Sequence, residues 1–420
     1  MLEMSAGAES ARLDSTQAPW LFDGPLPRLL DVLNADGEEG RVVGGAVRNA
    51  LLGEPVAEVD LATTARPEEI VRRAKAAGFH PVPTGIEHGT VTVVIHGRPF
   101  EVTTLREDVE TDGRRAKVRF GRDWRRDAER RDFTINGLSL QRDGMVVDFV
   151  GGLDDLKARR VRFIGEPEMR IREDYLRVLR FFRFHAGYGE GLPDRAALSA
   201  CIRARDGLAT LSRERIRAEL LKLLMAKHAV PVLATMSEAG ILGQVLGGVP
   251  LLASYSNVVK AEAAAKLPKD AIRHLAGLGV FLTEDAERLK ERLRLANAEF
   301  GRLHSIGDRW WRISPARGEP AAKALLYRIG AEHYRDRVLI ALARSQAKDD
   351  DKVWLDMLAL PERWSVPRFP LRAADFIARG VAKGPDLGAA LMRAEEAWIA
   401  AGFPSDPTAV AAIADRAASA

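Results

Sequence analysis

A chain of 420 residues, 46% hydrophobic and 29% charged, has the composition of a soluble globular protein and is too long for one ordinary core, so about two to four domains are expected. The net charge of +4 is modest, the single cysteine, Cys201, excludes disulfides and a cysteine-based zinc site within the monomer, and no apolar run approaches transmembrane length. The first eighteen residues carry Glu3, Glu9 and Asp14 without an apolar core, so they read as a disordered lead-in rather than a signal or transit peptide, and a cytoplasmic location is expected.

Val42-Val43 predicts a short strand running into a Gly44-Gly45 turn, with a helix over Ala46–Leu52 closed by Gly53. The alternation of Glu58–Leu61 predicts a half-buried strand. Thr63 or Thr64 is the expected cap of a helix that carries Pro67 and Glu68-Glu69 in its first turn and ends near Gly78. Thr90–Ile95 and Phe100–Thr104 are β-branched runs joined by a His96-Gly97-Arg98 turn, and a further strand pair is expected around Leu138–Gln141 and Met145–Phe149. From Ile171 onward the chain is rich in Ala, Leu and Arg with helical periodicity, which predicts an all-helical region of more than half the chain.

Glu58 and Asp60, two apart on a strand, face the same side and can converge on divalent metal. Glu101 lies on a separate strand and offers a third ligand, an edge-strand glutamate being the plain alternative. The all-oxygen donor set suits magnesium. An acid-x-acid strand is common on solvated faces; the glycine turn ahead of it changes the reading, because Gly44 and Gly45 let backbone N–H groups approach a triphosphate and Arg48 can reach phosphate oxygens bidentately. Between Gly113 and Arg131 nine basic residues stand against three acidic ones, a block suited to polyphosphate or a nucleic-acid backbone, or simply to a solvated face.

Asp174, Arg177, Arg180 and Arg183 recur every three residues in a stretch whose other positions are apolar (Leu176, Val178, Leu179, Phe181, Phe182, Phe184), which predicts one helix with Asp174 and Arg177 as neighbours. Charges there are costly unless paired or used. Cytosine and adenine each present an amine donor beside a ring-nitrogen acceptor. A carboxylate and a guanidinium side by side satisfy that edge and leave uracil and guanine unmatched. Together these pieces point to nucleotidyl transfer.

These residues resemble the class II tRNA nucleotidyltransferase and bacterial poly(A) polymerase family of the polymerase-β-like superfamily. The resemblance runs from about Arg41 to Leu224. It rests on Gly44-Gly45-x-x-Arg48, the acid-x-acid pair, Thr84–Thr90, Arg130–Asn136, Asp148-x-x-Gly151-Gly152-x-x-Asp155-Leu156, Glu173-Asp174-x-x-Arg177 and Leu211–Ile216. It implies an α+β fold: a nucleotidyltransferase head with a small mixed sheet, then all-α neck, body and tail. The corresponding boundaries are 1–20 for the lead-in, 21–165 for the head, 166–228 for the neck, 229–345 for the body and 346–420 for a tail that grips the tRNA elbow. It further implies that Gly45 and Arg48 hold the triphosphate and that Glu58 and Asp60 bind magnesium. Arg131 and Asp132 contact phosphate and sugar, Asp174 and Arg177 select CTP and ATP, and Arg180 and Arg183 complete the pocket. Two positions depart from the family pattern: Glu58 stands where aspartate is usual, and Asn49 follows the first arginine in place of aspartate.

The expected activity is template-independent addition of CMP, CMP and AMP to the tRNA 3′ end with release of pyrophosphate, with CTP, ATP and the tRNA acceptor end as substrates. Poly(A) polymerase, an enzyme adding only CC or only A, and a tRNA-binding protein with a decayed site are the alternatives. The helical C-terminal region, with scattered basic residues, is expected to hold folded RNA through phosphates alone, without an aromatic-stacking module.

Overall fold

The computed structural model describes residues 11–86, 89–111 and 116–419. The chain divides into two compact units, one ending at Ile241 and one beginning at Leu242. Among the described residues all strands lie in the first unit, and none of the helices is long and apolar enough to cross a membrane.

The first unit is built on a seven-stranded mixed sheet in the order β3-β4-β5-β2-β1-β8-β9. Its strands are β1 (Gly40–Val43), β2 (Asp60–Thr63), β3 (His80–Gly85), β4 (Thr90–Ile95), β5 (Arg98–Thr104), β8 (Ser139–Leu140) and β9 (Val146–Val147). A separate antiparallel pair joins β6 (Arg106–Thr111) to β7 (Ala116–Phe120). Only β2 and β5 run parallel, and that pairing sets Asp60 opposite Glu101. Alternation decides the faces: Val91, Val93 and Ile95 of β4 and Phe100, Val102 and Thr104 of β5 are buried, which leaves Glu101 on the open side. His96 (φ 49°) and Gly97 (φ 77°) are both left-handed, as a tight hairpin between β4 and β5 requires.

Helix Pro25–Leu33 buries Leu26, Leu29, Leu30 and Leu33 at helical spacing and packs against helix Pro67–Ala76. Neither Thr63 nor Thr64 caps the latter helix. Its N-cap is Arg66, and the Thr64 hydroxyl instead bonds back to Glu38 and accepts from the Glu39 N–H at 2.8 Å, because β2 continues through Thr63. The lead-in reading fails for residues 11–20. Arg12 bridges to Met145, the Leu13 N–H donates to Gly144 O at 2.8 Å, and Leu13 and Ala18 are fully buried, so this segment is a strap on the sheet edge. Burying a leucine in this way stabilises by roughly 1.5–3 kcal/mol, enough to hold a short segment down.

The second unit is helical throughout. Helices Leu252–Ala264, Ala271–Gly279, Asn297–Gly307 and Gly318–Ala343 enclose a buried ionic set in which Arg273 bridges Glu262 (3.0 Å) and Asp336 (3.1 Å), Arg302 bonds Asp336 (2.7 Å), and His274 bonds Glu262 (2.8 Å). The last helices, Pro385–Ala400 and Pro407–Ser419, form a further core around Trp398 with Phe376, Ala390, Ala394 and Ile413.

Candidate active site

Gly44 ends β1 at φ 71°, ψ −126°, a conformation reserved in practice for glycine, and starts helix Gly45–Leu52. A β-carbon at Gly44 would stand 3.2 Å from Nη1 of Arg131, and one at Gly45 would stand 3.4 Å from Nη2 of Arg48. The turn is therefore flanked by two guanidiniums, with no side chain of its own in the way.

Asp60 opens β2 beside Glu101, while Glu58 lies outside the strand on the connection from Gly53, a difference from the sequence reading. The three carboxylates line one cleft with Trp20, Pro25, Leu26, Pro99 and Phe100. Burial in that cleft raises the Asp60 pKa, Glu101 and Glu58 raise it further by charge repulsion, and Arg131 opposes them. Charge repulsion of this kind, between oxygen donors alone, fits a hard divalent cation. Among the described residues no three His, Cys, Asp or Glu side chains stand close enough to hold a metal by themselves. Asn49 explains its own departure from aspartate in part: its Oδ1 accepts from Arg48 Nε (3.2 Å) and Nη2 (2.9 Å), while its Nδ2 donates to Pro55 O at 2.8 Å, a bond a carboxylate could not make. That bond fixes the connection at Pro55, ahead of Glu58.

Arg48 is buried and already engaged. Its Nη1 donates to Asn136 Oδ1 at 2.5 Å and its Nη2 to the Tyr188 hydroxyl at 2.7 Å, and the guanidinium lies 3.8 Å from the Tyr188 ring centroid. Burial lowers its pKa. From Asn136 the network continues through Nδ2 to Asp132 Oδ1 (3.0 Å), and Asp132 Oδ2 accepts from Arg180 Nε (2.8 Å) and Nη2 (2.5 Å). Glu219 accepts from Arg183 Nε at 2.5 Å. Arg48, Arg180 and Arg183 all gather around the Phe184 ring, at 5.3, 5.4 and 4.2 Å. Three cations meeting two carboxylates leave a surplus positive charge, as an anionic ligand needs.

The sequence reading set Asp174 and Arg177 on one helix. The structure breaks the chain between them: helix Pro167–Glu173 ends, Asp174 is extended (φ −156°, ψ 107°), and helix Leu176–Tyr188 begins. The Arg177 N–H donates to Asp174 O at 3.0 Å, but their side chains are not paired with each other. Asp174 Oδ1 accepts from the Leu176 N–H (3.1 Å) and Oδ2 from Arg215 (2.6 Å), while Arg177 Nη1 bonds Glu173 (2.5 Å) and Arg170 O (2.6 Å). The N-cap of the second helix is Tyr175, and the extended turn before it lets the Asp174 carboxylate accept from the first helical N–H, that of Leu176.

Arg170, Glu173, Asn136, Tyr188 and Glu219 were not legible as site residues, although Arg170, Glu173 and Arg177 show the i,i+3 and i,i+4 spacing of a helical ion pair. Part of the basic block is engaged within the protein. Arg122 pairs with Glu38, Arg130 and Arg131 share Asp127, and Arg125 stacks on Phe149. Arg114 and Arg115, like Glu87 and His88 of the Thr84–Thr90 motif, lie outside the described residues.

This sheet, glycine turn and carboxylate pair define a nucleotidyltransferase head. Residues 40–162 match the model described as the poly(A) polymerase head domain, and residues 194–255 match that described as a probable RNA- and SrmB-binding site of polymerase A. The mitochondrial CCA tRNA nucleotidyltransferase 1 of Danio rerio is 35% identical over 384 residues, covering 90% of this chain and 87% of the relative. The CCA-adding enzyme of Lacticaseibacillus paracasei is 32% identical over 402 residues, covering 94% and 96%. Among solved structures, the Bacillus stearothermophilus CCA-adding enzyme in complex with CTP superposes with a TM-score of 0.75 at 26% identity, covering 93% of this chain and 96% of that one. The chain belongs to the CCA tRNA nucleotidyltransferase family.

Proposed function

We infer that this chain adds CMP, CMP and AMP to the 3′ end of tRNA from CTP and ATP, without a nucleic-acid template. The observation that carries this reading is kinship along nearly the whole length with enzymes of that name, joined to an acidic cleft beside a glycine turn and two arginines.

In this reading the triphosphate lies against the Gly44-Gly45 backbone and Arg131. The tRNA 3′-hydroxyl gives its proton to solvent as its oxygen bonds to the α-phosphorus, the bond from that phosphorus to the bridging oxygen breaks, and pyrophosphate leaves. Asp60 and Glu58 would hold magnesium, which when bound neutralises the triphosphate and the attacking oxygen. Glu101, set opposite Asp60, completes the acidic side of the cleft. Arg48 and Asp132 brace the floor of the site through Asn136, Arg180 and Arg183 supply positive potential, and Asp174 and Arg177 present the base-reading groups.

The test is extension of tRNA lacking its last three nucleotides, with CTP and ATP offered separately and together in magnesium. The expected result is two additions with CTP alone, three with both, and none with UTP or GTP. Repeated addition of A to unstructured RNA from ATP alone would overturn this reading in favour of a polyadenylating enzyme.

A further inference from the structure

The second unit carries an aromatic surface that the sequence analysis did not anticipate. The short 3₁₀ turn Trp310–Arg312 follows Arg309, whose backbone is left-handed (φ 54°). Trp310 is locked from below: its Nε1 donates to Phe281 O at 3.0 Å, its ring meets the Phe281 ring edge-on at 5.2 Å, and the Arg344 guanidinium lies 4.9 Å from its centroid. Arg344 is itself held by Ser254 Oγ (2.9 Å) and Val280 O (2.5 Å). Trp311 packs edge-on against Trp310 at 5.9 Å yet remains 51% exposed, beside Phe281 (45%) and Leu282 (43%). An indole seated on so firmly held a ring and left half in water is costly unless something covers it.

The rim indicates the occupant. Arg312 and Arg317 are exposed and have no acidic partner among the described residues; the Arg317 guanidinium reaches only the Arg312 carbonyl oxygen, at 3.3 Å. Arg309 and Arg337 share Asp308, while Asp285, which accepts from the Phe281 and Leu282 N–H groups, is paired with Arg288, and Glu319 with Lys323 and Arg363. The patch is thus apolar at its centre and cationic on the side of Arg312 and Arg317, where no acidic side chain pairs with them among the described residues, which complements a nucleobase face flanked by phosphates.

We propose that Trp311 is a stacking platform for an unpaired or terminal-pair base of the bound tRNA, with Arg312 and Arg317 on the adjacent phosphates. The proposal rests on the tRNA-extending reading above and differs from the expectation that this region grips RNA through phosphates alone.

The test compares the full-length protein with Trp311→Ala, Trp311→Phe and Arg312→Ala/Arg317→Ala, each checked by a circular dichroism melt. Filter binding of tRNA and the separate KM values for tRNA and CTP are measured. Trp311→Ala is expected to weaken tRNA binding and raise its KM about tenfold with the KM for CTP unchanged, and Trp311→Phe to recover most of the loss. The double arginine variant should bind tRNA with a shallower salt dependence. Ultraviolet crosslinking of wild-type protein to tRNA should yield an adduct at Trp311. Unchanged tRNA binding in Trp311→Ala, an equal rise in both KM values, or a wild-type dimer that Trp311→Ala dissociates would each overturn the proposal. Failure of the wild-type protein to extend tRNA would count against the function itself, and filter binding would still decide the role of Trp311.

Discussion

The Asp174 carboxylate accepts from Nη2 of Arg215 at 2.6 Å, although the two residues are 41 positions apart and the sequence pairs Asp174 with Arg177 instead. Arg177 is held by Glu173, so each proposed base-reading group has its own bracing partner on a different element. A carboxylate fixed by one guanidinium keeps a lone pair free for an amine, and an arginine fixed through one nitrogen keeps other N–H groups for a ring nitrogen.

Arg215→Ala is therefore expected to loosen nucleotide choice without touching the base itself. Misincorporation of UMP and GMP should rise, as it should for Arg177→Ala, each by the equivalent of about 1–3 kcal/mol by analogy with base-edge readout on DNA. Competition assays with all four triphosphates measure it, and unchanged selectivity in both variants would mean that the base is read elsewhere.

Asp60→Ala should abolish transfer while leaving tRNA binding nearly intact. Glu58→Asp should be tolerated or raise activity, since the Glu58 side chain comes from a connection rather than from β2 and can adjust. Because Glu58 and Glu101 repel Asp60, magnesium should also raise the melting temperature of wild-type protein and do so less for Asp60→Ala. Near wild-type extension by Asp60→Ala would refute the metal assignment.

Asp132 offers a pH test with a definite sign. Burial alone would raise its pKa, but the Arg180 charge and hydrogen bonds from Asn136, Arg180 and the Phe133 N–H prevail and hold it below the ordinary 3.8. A carboxylate depressed in the folded state contributes stability above its unfolded pKa and loses it as pH falls through the folded value. Asp132→Asn should lower stability at pH 7 by removing the nearest carboxylate of Arg180, which is left with the more distant Glu219. The gap to wild type should narrow as pH falls through the depressed folded pKa, once the wild-type carboxyl is protonated as well. Thermal melts of both proteins from pH 7 to pH 2 would show whether the gap narrows.

Removing the chain beyond Pro361 should raise the KM for tRNA far more than that for CTP. It also strips the core around Trp398, against which Ala324 and Tyr327 pack, so the truncated protein should melt at lower temperature and its kinetics belong below that melt. Full tRNA affinity in a folded truncation would show that the proposed tail is not an RNA grip.

What the sequence determined by itself was local. The glycine turn at Gly44, the His96-Gly97 hairpin and the alternating faces of β4 and β5 were legible because φ preference and a period of two act between near neighbours. So was the family, through its ordered motifs. Only the tertiary structure decided which charges meet. Parallel pairing of β2 with β5 sets Asp60 opposite Glu101, the break at Asp174 turns its carboxylate toward Arg215, and Arg48 is braced on Tyr188 some 140 residues away. Leu13 and Ala18 bury the strap that the composition of the N-terminus made read as a disordered lead-in, and Trp311 stands on Trp310, itself set against Phe281, a platform no helical or strand period announces. Ion pairs and packing are chosen among residues far apart in the chain by burial and desolvation, and those costs exist only once the core has closed.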